Sequence, residues 1–126
     1  MIPDHARSRI VVTARILLSL AMLLTLYEAT IQHPISPPKM DNGDKLMHTL
    51  AFFSLTILAD MSFPPVRLML QKIVALLAFG LLIEWIQSFL PWRSADLFDF
   101  IADCIGIACY LIPATLSRLV SFLHES

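Results

Sequence analysis

The sequence predicts an all-α membrane protein: a single domain over residues 1–126, folded as a bundle of four transmembrane helices. Three observations carry this. Hydrophobic residues make up 57% of the chain and charged ones only 15%, where soluble domains carry about 25% charged residues. Mean hydropathy is +0.73. The apolar residues also gather into four stretches, each close to the roughly 20 residues needed to cross about 30 Å of hydrocarbon. The same composition excludes other classes. A net charge of −1, with nine basic residues spread along the chain, argues against a nucleic-acid surface. Disorder is excluded because too much apolar surface seeks burial. A disulfide scaffold is excluded because Cys104 and Cys109 are the two cysteines present, and on one helix they would point roughly 140° apart.

The first apolar stretch, about residues 10–31, follows Arg7 and Arg9. Its basic lead fits a signal peptide, but no small-residue cleavage site follows, and Tyr27 and Glu28 stand where small residues are required. It is expected to remain as an anchor. Arg15 lies near its basic end, within snorkelling reach of the headgroups. A polar break follows, with Pro34, Pro37, Pro38 and an Asn42-Gly43 turn signal. Asp44 is placed to cap a second helix over residues 45–63, which Pro64-Pro65 ends. The third helix is expected over residues 66–90. A short loop through Pro91, Trp92 and Arg93 leads to Asp96, a candidate cap, and the fourth helix over residues 97–120. Pro113 should bend that helix, a distortion membrane helices tolerate, and the tail from residue 117 onward suits the interface.

Basic residues orient the bundle. With the N-terminus inside, Arg7, Arg9, Arg15, Arg67, Lys72 and Arg118 lie on the inner side, against Lys39, Lys45 and Arg93 outside. Excess lysine and arginine marks the cytoplasmic face, so both termini are expected there.

The polar residues of the spans converge. Lys45 and His48 share a helical face that Phe52 continues. Gly80, Glu84 and Gln87 share another, and Asp96, Asp99, Asp103 and Gly106 a third. At about 1.5 Å per residue, Glu84 lies about 9 Å below Leu90, Asp103 about 6 Å below Asp99, and His48 about 4.5 Å below Lys45. All descend from the same outer surface, while the opposite end offers Asp60 as its buried-acid candidate. A midspan acid costs about 2.5–3.5 kcal/mol on insertion scales, and intramembrane ionisable groups usually face a bundle interior or a wet cavity.

Structural roles compete with functional ones at several positions. Asp44 and Lys45 suit an N-cap and an interfacial anchor, Asp96 a cap, and His48 a packing role. Trp92, Tyr27 and Trp85 suit an aromatic belt, and Gly80 and Gly106 close helix packing. For Glu84 and Asp103, inside apolar runs, the structural reading is an interhelical ion pair or a protonated, hydrogen-bonded acid. Glu84 is expected to couple to Arg93, directly or through Gln87, because a buried carboxylate needs a partner. The pocket region gathers Asp44, Glu84, Asp96, Asp99 and Asp103 against Lys45 and Arg93, so protons or a cation must compensate. Carboxylates with a histidine suit Mg²⁺ or Mn²⁺, but no compact metal motif is present, and neither a metal ligand set nor a cofactor is assigned. Nothing has the pattern of an activated serine or cysteine.

Three segments in order, Asp44-Lys45-Leu46-Met47-His48-Thr49-Leu50-Ala51-Phe52, Gly80-Leu81-Leu82-Ile83-Glu84-Trp85-Ile86-Gln87 and Pro91-Trp92-Arg93-Ser94-Ala95-Asp96-Leu97-Phe98-Asp99, resemble the VanZ-like family of small bacterial membrane proteins. The resemblance spans roughly residues 41–112. Members usually carry phenylalanine where this chain has Thr49 and asparagine where it has Asp103. The family is named for a protein associated with teicoplanin resistance, and membership implies a bacterial envelope location more than a reaction.

Together these readings lead to an expected inner-membrane protein with an outward-facing polar pocket. Its residues are Asp44, Lys45, His48, Glu84, Gln87, Arg93, Asp96, Asp99 and Asp103, with Gly80 and Gly106 packing helices around it. The expected partners are the lipid bilayer and an envelope or lipid-linked precursor, with an anionic head group held by Lys45, His48 and Arg93. The rival reading is a membrane-embedded enzyme working on a lipid or phosphate substrate by carboxylate–histidine or metal-assisted chemistry.

Overall fold

Helices α1 (Asp4–Thr30), α2 (Gly43–Ser62), α3 (Met69–Gln87) and α4 (Leu97–Glu125), with a 3₁₀ turn at Val66–Leu68, make up the architecture. The computed structural model describes residues 2–31, 43–93 and 95–126, and the side chains among them except at residues 43, 44 and 66. No strand occurs among the described residues. The all-α expectation holds, and α1, α3 and α4 are each long and apolar enough to cross a membrane.

Element boundaries follow backbone chemistry more closely than hydropathy. α1 starts earlier than its apolar stretch, at Asp4, with Pro3 before it and an acid in its first turn. α2 includes Gly43, so Asp44 lies inside the helix and not at the expected cap; its side chain falls outside the described residues, as do Lys39 and the prolines of the break. α2 ends at Ser62, short of Pro64-Pro65. The 3₁₀ turn then closes with the Leu68 amide on the Pro65 carbonyl at 3.0 Å. α3 stops at Gln87, three residues early, because Pro91 disfavours helical geometry at Leu90. Single-turn bonds from Phe89 to Ile86 and Leu90 to Gln87 carry the chain round. α4 continues through Pro113 to Glu125.

α2 is the central helix, packed chiefly against α4 and α1. Its Phe52, Leu55 and Ala59 meet Leu76 and Ile83 of α3 and Ile107 of α4, and Leu18, Ala21, Met22 and Leu26 of α1 close over them. Full burial of Phe52 makes its loss worth about 3–5 kcal/mol. Outward faces carry Leu20, Leu24, Leu81, Ile105 and Leu116, all exposed, an apolar surface of the kind lipid covers.

Helices consecutive in the chain run in opposite directions, so α2 and α4, the most closely packed pair, run parallel. The C-termini of α1 and α3 and the N-termini of α2 and α4 therefore share one end of the bundle, joined by bonds from Gln87 to Ala29 and from Lys45 to Asp96. The other end is joined by Arg15 to Ser62 and by Asp60 to Arg118.

Candidate functional site

The predicted convergence is present between α2, α3 and α4. His48 Nδ1 lies 2.7 Å from Asp103 Oδ1, and its Nε2 lies 3.9 Å from Asp99 Oδ2. One turn nearer the surface, Lys45 Nζ sits 3.3 Å from Asp96 Oδ2 and 3.5 Å from Asp99 Oδ1. Glu84 reaches across from α3, where its Oε2 accepts the Asp96 amide at 3.1 Å. The side chains grade from the half-exposed Lys45 and Asp96, at 34% and 39%, to Asp103 at 1%. The result is a polar track from the bundle end into its interior.

Small residues make this possible. A Cβ at Gly106 would run into the Thr49 carbonyl oxygen and lie 3.0 Å from the Phe53 nitrogen, so α2 and α4 cross at backbone contact. Thr49 Oγ1 sits at the crossing with its one proton shared between the Lys45 carbonyl of its own helix, at 2.9 Å, and the Ala102 carbonyl of α4, at 3.2 Å. A Cβ at Gly80 would lie 3.0 Å from Asp103 Oδ2 and 3.4 Å from the Phe52 ring. Gly80 thus gives the Asp103 carboxylate its room, and Phe52 forms the apolar floor.

Asp96 caps α4 by accepting the Phe98 amide at 2.9 Å. That bond, reinforced by Lys45, holds its carboxyl below the usual carboxylate range. Its cap and pocket roles coexist. Deeper in, Glu84, Asp99 and Asp103 surround one imidazole. Glu84 Oε1 and Asp103 Oδ2 are buried without hydrogen-bond partners. An arrangement of this kind can hold protons or a cation.

Two expected pocket residues are drawn elsewhere. An Arg93 Nη donates to the Glu28 carbonyl, and Gln87 Nε2 to the Ala29 carbonyl at 3.0 Å. Trp92 Nε1 donates to the Thr30 carbonyl at 3.0 Å. These are last-turn carbonyls of α1, which have no partners within their own helix, and a guanidinium there also suits the helix dipole. Among the described residues no hydrogen bond or ion pair joins Glu84 to Arg93, directly or through Gln87. The expected contact is therefore corrected: Glu84 is held by the Asp96 amide instead. Removing Arg93 leaves the pocket more acidic than the sequence count implied.

The opposite end holds a second polar cluster that the sequence did not resolve. Asp60 accepts from Lys72 at 2.8 Å, Tyr110 at 2.6 Å and Arg118 at 2.6 Å. Lys72 and Arg15 also donate to the Phe63 and Ser62 carbonyls at the end of α2. Arg15 therefore turns into the bundle, its guanidinium 5.0 Å from the Phe63 ring centre. The available signal was the charge count, which set Arg15, Lys72 and Arg118 at the same end as Asp60. Among the described residues none of this cluster's buried side-chain nitrogens or oxygens lacks a hydrogen-bond partner, and it reads as an interhelical clamp. The cysteines are both free, and Cys109 is exposed on α4.

No protein-family model matches the chain, and no solved structure matches it. Over 73 residues, 56% of its length, the chain is 34% identical to an uncharacterized protein of Schizosaccharomyces pombe. The match takes in 45% of that protein, so the chain spans less than half of this relative's length.

Proposed function

We propose that the chain is a VanZ-like, four-span protein of the bacterial inner membrane with both termini cytoplasmic. Its pocket takes the polar head of an envelope or lipid-linked ligand from the outer side. The fourth span is α2, whose 20 residues reach about 30 Å; lying between α1 and α4, it can afford the polar residues that lower its hydropathy. One observation carries the ligand reading: the graded track from Lys45 and Asp96 at the bundle end to buried His48 and Asp103. Lys45 offers a point charge to an anionic head group, while Asp96 and Asp99 order it.

Native mass spectrometry of protein released in mild detergent tests this. A bound envelope lipid or lipid-linked species is expected on the wild type and lost from a Lys45→Ala/His48→Ala variant of unchanged helicity. A wild type free of such species would contradict the reading. The enzyme alternative is supported by the donors of His48, Glu84 and Asp103 lying within 4.8 Å of one another, and turnover of a bound lipid would favour it.

A further inference from the structure

We propose that His48, Glu84 and Asp103 form a binding site for a single divalent transition-metal ion, of the Mn²⁺ or Zn²⁺ class. The inference rests on the geometry of three side chains and stands whether or not a lipid head group enters above them.

The donors come from three different helices, one each from α2, α3 and α4, and their ligand atoms lie within 4.8 Å of one another. Two of the carboxylate oxygens are desolvated with nothing to bond: Asp103 Oδ2, on a residue with no exposed surface, and Glu84 Oε1. An unsatisfied buried acceptor costs about 1–3 kcal/mol, more when charged, and an ion is one of the few occupants able to satisfy both. Asp103 Oδ2 lies against the open face of Gly80, 3.0 Å from where a Cβ would stand, so no side chain from α3 at that position displaces it.

Protein cations do not meet this need among the described residues. Lys45 pairs with Asp96 and Asp99 nearer the surface. Arg93 is committed to the end of α1, and Lys72 and Arg118 to Asp60. Among the described residues only the His48 ring stands beside Glu84 and Asp103, and in its neutral form it is itself a metal ligand.

The second contacts of Glu84 and His48 match what metal ligands use. Glu84 Oε2 is fixed by the Asp96 amide, which leaves Oε1 free. With Nδ1 on the ion beside Asp103, Nε2 faces Asp99 Oδ2 at 3.9 Å, the side from which a carboxylate orients a ligating imidazole. Ligand bonds of about 2.0–2.2 Å would draw neighbouring donors to about 3–3.5 Å apart. The flexible arm of Glu84 supplies the closure. One nitrogen and two oxygens disfavour Ca²⁺, which takes 6–8 oxygens, and thiolate-seeking ions. Three protein ligands leave positions open for water or a phosphate oxygen.

The test uses the full chain in detergent, stripped with chelator, with Mn²⁺ followed by electron paramagnetic resonance and Zn²⁺ as competitor. One Mn²⁺ per chain is expected, with spin-echo modulation from one histidine nitrogen in the wild type. His48→Gln should abolish that modulation. Both His48→Gln and Asp103→Asn should weaken binding at least about tenfold, and Asp99→Asn about tenfold by removing the carboxylate that faces the ligating ring. The absence of stoichiometric Mn²⁺ or Zn²⁺ binding would overturn the site. Bound Mn²⁺ without nitrogen modulation would overturn it as well, a reading on the wild type that needs no variant to fold.

Discussion

His48 of α2 and Asp103 of α4, 55 positions apart in the chain, meet at 2.7 Å in the interior of the bundle. Their approach depends on two glycines doing different things. Gly106 lets the α2 and α4 backbones touch, and Gly80 on α3 leaves space for the carboxylate itself.

Gly106→Ala should therefore cost stability, because its new Cβ meets the Thr49 carbonyl and the Phe53 nitrogen, which are backbone and cannot swing aside. The loss should be about 1–3 kcal/mol, the range for overpacking, read as a lower thermal midpoint in detergent. Gly80→Ala presses on a carboxylate oxygen instead. It should unfold close to the wild type while disturbing the pocket.

Glu84 and Arg93 should behave independently. Glu84 is tied to the Asp96 amide and Arg93 to the Glu28 carbonyl, with no partner in common. A double-mutant cycle of Glu84→Gln and Arg93→Ala on unfolding stability should close within about 0.5 kcal/mol. A larger coupling would show that the two side chains meet.

Much of this was legible in the sequence, and the rest has physical reasons for being hidden. Helical periodicity put Lys45 with His48, and Asp99 with Asp103, on single faces, and depth arithmetic brought Glu84 level with them. Glycine positions marked the close approaches. Periodicity says nothing about which of several polar groups a flexible side chain chooses. Spacing therefore places Arg93 and Gln87 with the acids they lie near, whereas the otherwise unpaired carbonyls at the end of α1 take them. Helix ends differ from the hydropathy limits for a related reason: hydropathy reports where lipid begins, whereas Pro3, Pro91 and the 3₁₀ turn decide where helical bonding begins and stops. The Asp60 clamp needs Tyr110 and Arg118 from 50 and 58 residues away, a pairing that no local spacing encodes.

Asp60 should be the most sensitive charged position for folding. Replacing it with alanine strands the buried Lys72 ammonium and removes the acceptor of Arg118 and Tyr110. Breaking a buried pair from one side costs about 3–5 kcal/mol. Asp60→Ala should lower membrane abundance, and adding Lys72→Leu should recover part of it. If Asp60→Ala accumulated at wild-type levels, the clamp would not be holding α2, α3 and α4 together.

The most direct measurement is complementation of a deletion strain by Glu84→Gln at matched membrane abundance. An apolar residue at Glu84 would suit a purely structural bundle, since buried charges are often replaceable without loss of stability. Glu84 instead keeps a buried, unpartnered oxygen beside His48 and Asp103. Glu84→Gln should insert normally and fail to restore the deletion phenotype, with Asp103→Asn the milder change. Full complementation by Glu84→Gln would make Glu84 structural and move the functional site elsewhere.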